Sequence, residues 1–112
     1  MDHDSIIATR DYIAKEFGKL DVLINNAAVC YNDPTLYGTT KHTPFQEQAG
    51  ITIDTNFFGT SFVTEAMLPL LSKSASPRII NIASSAGRLS QLARSPAKTK
   101  IVTSPDLQME EL

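Results

Sequence analysis

Val22-Leu23-Ile24-Asn25-Asn26 and Arg78-Ile79-Ile80-Asn81-Ile82-Ala83-Ser84-Ser85 are the stretches that decide the fold. Each carries a short run rich in aliphatic residues and closes on a polar doublet. Short apolar runs of β-branched and long aliphatic residues read as strands buried on both faces. A long helical stretch separates them. Strand, helix, strand at this spacing is a βαβ unit with a right-handed crossover, so the two strands run parallel. Asn25-Asn26 and Ser84-Ser85 then both stand at carboxyl ends of parallel strands, where open α/β sheets bind ligands. The expected class is α/β.

Upstream of the first run, Asp2 and Asp4 offer helix N-caps, and acids there suit the positive end of the helix dipole. Ile6, Ile13 and Phe17 recur at helical spacing, with Arg10, Lys15 and Glu16 on other faces. Gly18 suits the left-handed residue that ends a helix. The pattern predicts a helix over 4–17 and a strand over 20–24.

Residues 27–43 form a long connection with turn signals at Asn32-Asp33-Pro34 and Tyr37-Gly38. Thr43-Pro44 then predicts a second helix, with Thr43 as cap and Pro44 at the first helical position. Phe45, Ile53, Phe57, Phe58, Phe62, Val63, Met67 and Leu70 make that helix apolar around much of its girth. It should be covered on more than one side. Gly59 in its middle costs about 1 kcal/mol relative to Ala, which close approach of a neighbouring backbone would explain. The stretch 72–77 reads as a polar linker. After the second strand the pattern is loop-like: Ser95-Pro96 and Ser104-Pro105 act as breakers, with a short helix possible from Ser104 or Pro105 to Leu112.

Composition bounds the function classes. The chain has 112 residues, a net charge of −2, 42% hydrophobic and 20% charged residues, as expected of one ordinary globular domain at most. The balance gives no electrostatic case for nucleic acid or an acidic membrane surface. No apolar stretch approaches the roughly 20 residues that span a bilayer, and the acidic start Met1-Asp2-His3-Asp4 is not that of a signal peptide. The single cysteine, Cys30, excludes an intrachain disulfide and reads as a buried or half-buried bystander in a reducing compartment. One Cys and two distant His fit no metal-ligand spacing.

Three motifs then point to a family. Leu20-Asp21-Val22-Leu23-Ile24-Asn25-Asn26-Ala27-Ala28 resembles the NNAG motif of the short-chain dehydrogenases/reductases. Thr55-Asn56-Phe57-Phe58-Gly59-Thr60 resembles the helix that carries an active-site asparagine there. Arg78 to Gly87 resembles the strand that ends in the catalytic serine. Their order and spacing carry the resemblance over residues 1–90, and Thr43-Pro44-Phe45, the TNFFGT run and the tail from Ser104 look most like the monomeric carbonyl reductase branch. The implied fold is a partial Rossmann fragment of a doubly wound parallel sheet, helix-strand-helix-strand. Residues 1–112 would be the central part of one dinucleotide-binding domain.

The resemblance implies roles. Ser85, matching the second serine of its motif, would hydrogen-bond the substrate carbonyl oxygen, where charge develops. Asn56 would hold a water of the proton relay through a local kink in its helix. Asn26 and the backbone of Ala27 would contact the adenine-side ribose of the cofactor, while Asn25 stitches neighbouring strands. Gln48 is the candidate substrate contact. The cofactor would be NADPH, with NADH left open because no residue here decides between them. The substrate would be a small aldehyde or ketone, and the parent enzyme monomeric and cytoplasmic.

Two departures accompany the likeness. The Gly-rich TGxxxGIG loop that would hold the pyrophosphate at a helix N-terminus has no counterpart. Nor does a YxxxK pair follow Ser85. Tyr37-Gly38-Thr39-Thr40-Lys41 fits that pattern as text only: it precedes the serine strand, contains a glycine and is loop-like, whereas the chemistry needs both side chains on one helix face. The expectation is therefore an oxidoreductase piece that is inactive alone and partly molten. The alternative is a catalytically dead module that binds a partner through its exposed sheet edge and helix face.

Overall fold

The computed structural model describes residues 2–31, 43–88, 90 and 95–105. The chain divides into two compact units, Met1–Ile82 and Ala83–Leu112. Tyr37, Lys41 and the tail from Asp106 lie outside the described residues.

In the first unit, helix α1 spans His3–Phe17. Asp2 caps it, its Oδ1 accepting the Ser5 N–H at 3.1 Å, and so satisfies one of the donors that every helix start leaves open. Gly18 ends it at φ 72°, donating its N–H to the carbonyls of Ile13 and Ala14. A left-handed residue here reverses the chain within a few residues, and glycine does so without a Cβ clash.

Strand β1, Val22–Asn25, follows, beginning two residues later than the sequence pattern suggests. Leu20 is instead tied to the helical layer, its N–H donating to the Leu70 carbonyl at 3.1 Å. Helix α2 spans Phe45–Ile53. The expected cap at Thr43 is corrected by one residue: Pro44, at φ −54° and ψ 141°, is the non-helical flanking residue. Its carbonyl accepts the Glu47 and Gln48 N–H groups. A π-helical segment, Asp54–Gly59, joins α2 to helix α3, Thr60–Leu71. Strand β2, Arg78–Asn81, closes the unit.

The strands pair in parallel, with Val22, Leu23, Ile24 and Asn25 opposite Arg78, Ile79, Ile80 and Asn81. The parallel pairing expected from the two apolar runs is observed. The core is small: Met67, Leu70 and Leu71 of α3 are 4%, 3% and 3% exposed, packed by half-buried Ile13, Ala14, Leu20, Leu23 and Val63. Each fully buried side chain of this size contributes about 1.5–3 kcal/mol. His3 stacks on Phe62 with ring centroids 4.0 Å apart and adds a second clasp between α1 and α3.

Burial on both strand faces is not observed. Leu23 packs on the core and Asn25 bonds to α3, so the alternation of a strand turns Val22 and Ile24 to the opposite face. Ile80, level with Ile24, lies on that face too. No described element covers it, and Val22, Ile24, Ile80 and Ile82 are exposed, Ile24 and Ile82 by 59% and 60%. The aliphatic runs carry the pattern of a two-sided sheet, but the unit supplies helices for one side. Cys30 is likewise exposed, in the segment that leaves β1, which corrects the buried or half-buried placement.

In the second unit, Ser85–Gly87 form a single turn of 3₁₀ helix, and helix α4 spans Pro96–Val102. Reading Ser95-Pro96 as a breaker is thereby corrected. Proline suits the first helical position because its absent N–H is not needed there. The Ser95 carbonyl accepts the Thr99 N–H at 3.0 Å. Among the described residues no helix is long and apolar enough to cross a membrane.

Candidate functional site

The first unit holds a cleft of about 280 Å³ at the carboxyl end of β1. Its floor is aliphatic, from Ile6, Leu23 and Val63; Asn26 and Ala27 line it next to Thr55 and Thr60. Asn26 and Ala27 are exposed there because the strand has just ended. An exposed amide, a small neighbour that leaves the backbone accessible and two hydroxyl residues are groups suited to a ribose.

Asn25 also lines the cleft, and its side chain is committed to neighbouring elements. Its Nδ2 donates to Asn81 Oδ1 at 2.8 Å on the paired strand and to Thr64 Oγ1 at 3.0 Å on α3. The stitching role read from the sequence is what the side chain performs, and it reaches the helical layer as well as the sheet.

Asn56 sits inside the π-helical segment. Such segments leave a helix locally overfull and cluster at functional sites. Its side chain clamps the backbone of Val29: Oδ1 accepts the Val29 N–H and Nδ2 donates to the Val29 carbonyl, both at 2.8 Å. The segment that leaves the rim residues Asn26 and Ala27 is thus fixed three residues downstream. The Asn56 main-chain carbonyl accepts the Thr60 hydroxyl at 3.0 Å.

Gln48 is half-buried on the first turns of α2 and donates through Nε2 to the Thr43 carbonyl at 3.0 Å. It does not line the cleft. Ser85 opens the 3₁₀ turn of the second unit and is exposed. The structure therefore brings Asn26 and Ala27 together with Thr55 and Thr60, holds Asn56 on the same helical run by way of Val29, and gives Gln48 a local partner.

Thr60, Thr64 and Val29 were not singled out in the sequence. A signal for the first two exists. Gln48, Thr52, Asn56, Thr60 and Thr64 recur every fourth residue through the helical run. Thr52, Thr60 and Thr64 each return a hydroxyl to the carbonyl four residues back. The far end of the sheet carries its own polar knot: Asp21 accepts from Lys19 Nζ and from the Ser74 hydroxyl. These two bonds, the lysine first, hold its carboxyl below the usual aspartate range.

Residues 1–97 match the short chain dehydrogenase family. Over 83 residues the chain is 43% identical to carbonyl reductase (NADPH) 1 of Bos taurus, covering 74% of this chain and 27% of that protein. The structure resembles salutaridine reductase from Papaver somniferum with a TM-score of 0.73 at 28% identity, covering 99% of this chain and 46% of that one. It also resembles menthone neomenthol reductase from Mentha piperita, with a TM-score of 0.69 at 29% identity over 98% of this chain and 47% of that one. These neighbours are Rossmann-fold reductases, and the chain spans about 27% of the length of the bovine relative. With its parallel βαβ unit and its NNA, TNFFGT and SSAG runs in order, this chain belongs to the short-chain dehydrogenase family.

Proposed function

We propose that the chain carries the ribose-side rim and the serine strand of an NADPH-dependent carbonyl reductase, the central part of one dinucleotide-binding domain. The observation that supports this most is the placing of Asn26 and Ala27 on a cleft at the carboxyl end of a parallel strand. The relative's name includes NADPH, and NADPH is proposed here on that likeness.

The residues fit a nicotinamide dinucleotide in part. Asn26 and the Ala27 backbone would hold its ribose, and the cofactor, when bound, supplies hydride. Ser85 would donate its hydroxyl proton in a hydrogen bond to the oxygen of an aldehyde or ketone, favouring the charge that gathers there. Asn56 has committed its amide to Val29, so a relay water would rest on its main-chain carbonyl. Gln48 would contact substrate only after releasing the Thr43 carbonyl.

These residues alone lack an acid–base tyrosine after Ser85, a loss that typically costs 10²- to 10⁴-fold in rate, on the order of the whole proton-transfer contribution. Titration of the isotopically labelled chain with NADP⁺ should shift the amide resonances of Asn26, Ala27, Thr55 and Thr60, with no oxidation of NADPH in the presence of an aldehyde or ketone. Shifts confined to other residues would overturn the reading of the rim, and turnover would overturn inactivity. The second reading, a catalytically dead interaction module, draws on the exposed aliphatic sheet face.

A further inference from the structure

The rim of the cleft has no main-chain support of its own. Asn26, Ala27 and Ala28 are exposed, and among the described residues none of the three makes a backbone–backbone hydrogen bond. The ladder ends just before them, where the Asn25 carbonyl accepts the Ile82 N–H at 2.9 Å. Side chains hold the rim instead. At one end half-buried Asn25 donates to Thr64 Oγ1; at the other, half-buried Val29 is gripped by the Asn56 amide. Both anchors stand on one helical run, eight residues apart. Eight residues of α-helix rise about 12 Å, and a chain of four residue steps reaches about 13–14 Å when fully extended. The two lengths nearly match, so the rim between the anchors has little slack.

The Thr64 anchor also has a fixed polarity. A hydroxyl carries one proton, and that of Thr64 goes to the Thr60 carbonyl at 2.8 Å. Towards Asn25, Thr64 Oγ1 is therefore an acceptor only, and it receives Nδ2 at 3.0 Å. Asn81 Oδ1 accepts the same Nδ2 at 2.8 Å. Acceptors on two separate elements both require the NH2 end of the Asn25 carboxamide. Turning the amide over would set oxygen against oxygen at each. Thr64 thus decides, together with Asn81, how the last residue before the rim is oriented.

We propose that Thr64 is a positioning residue for this rim. Acting through Asn25, it fixes the near end of the Asn26-Ala27-Ala28 span, as Asn56 fixes the far end. The Asn26 amide and the Ala27 backbone then meet a ribose already ordered, which spares the ligand the cost of immobilising them. The ribose itself rests on the reductase reading given above, whereas the ordering of the rim does not depend on it. Thr64 is half-buried and does not line the cleft, so its influence reaches a ligand only by way of Asn25.

The test uses the purified, isotopically labelled 112-residue chain. Backbone order parameters are measured without ligand, and NADP⁺ affinity is read from amide shifts. The parent rim should be close to rigid backbone, at about 0.8–0.85, and Thr64→Val should lower Asn26, Ala27 and Ala28 towards about 0.6 while α3 keeps its values. NADP⁺ should then bind about three- to fivefold more weakly. Thr64→Ser keeps the hydroxyl and should restore the rim's order, with affinity within about twofold of the parent. A rim unchanged in Thr64→Val, with only a lower urea midpoint, would make Thr64 a structural residue and overturn the proposal. If Thr64→Val does not fold, the Asn25 side-chain amide of the parent decides. Proton exchange slowed about tenfold or more against free asparagine supports the anchor, and exchange at the free rate overturns it. A parent whose rim does not respond to NADP⁺ would remove the reductase reading alone, because the order parameters are read with no cofactor present.

Discussion

Asn56 and Val29 are joined by two hydrogen bonds of 2.8 Å, with the amide of one residue reading both backbone groups of the other. That is how a strand reads its neighbour, performed here by a side chain. The bonds hold the segment after β1 against a helical turn that has been widened to present the amide.

Asn56→Ala should therefore free the Val29 amide. The expected loss is about 1–2 kcal/mol in urea denaturation, from two net hydrogen bonds. Hydrogen exchange at Val29 should accelerate, while exchange in α1 follows global stability only. Unchanged protection at Val29 would mean the clamp contributes nothing in solution.

Asn25 and Asn81 face each other across the ladder at 2.8 Å. A double-mutant cycle with Asn25→Ala and Asn81→Ala should return a coupling of about 0.5–1.5 kcal/mol. Asn25→Ala should be the costlier single change, because Asn25 also serves Thr64.

Leu70 is one of three side chains buried among the described residues, and its carbonyl receives the Leu20 N–H. Leu70→Ala should cost about 2–5 kcal/mol. With so small a core, the measurable outcome is loss of the cooperative thermal transition and of near-ultraviolet circular dichroism.

Asp21 supplies a pH dependence. Its folded pKa is depressed, so the stabilisation it brings is present above the unfolded aspartate value, about 4, and is lost as pH falls through the lower folded value. Both partners are exposed, so the effect is small and weakened by salt. The thermal midpoint of Asp21→Asn should lie slightly below that of the parent at neutral pH and converge with it in acid. A gap that persists in acid would assign the difference to packing or to the Ser74 contact.

The sequence made some of this legible and hid the rest for physical reasons. The two strands were readable because aliphatic runs bounded by polar doublets have few other uses. Gly18 and Asp2 were readable because the ends of helices impose local chemistry. The π segment was not, since hydrophobic periodicity over Asp54 to Gly59 looks the same whether or not a residue is inserted. Helix α4 is hard to read because Pro96 suits a chain break and a helix start equally well. The exposure of Ile24 and Ile80 could not be read from their own character, which is that of interior residues; it depends on which elements are present to cover them. Among the candidate site residues, Asn26 and Ala27 line one cleft, whereas the partners of Asn56 and Gln48 depend on the conformation of Val29 and Thr43 and have no sequence signature.

The in-register amides of Asn25 and Asn81 have a consequence for how this chain avoids misthreading. The aliphatic residues on either side are nearly interchangeable, so their packing alone would tolerate sliding. Displacing one strand by a single position would set Asn25 against Ile80 and turn every following side chain to the wrong side. Both carboxamides would lose their mate at once. The amide pair acts as a locating pin, and it lets a ladder of four rungs find one alignment.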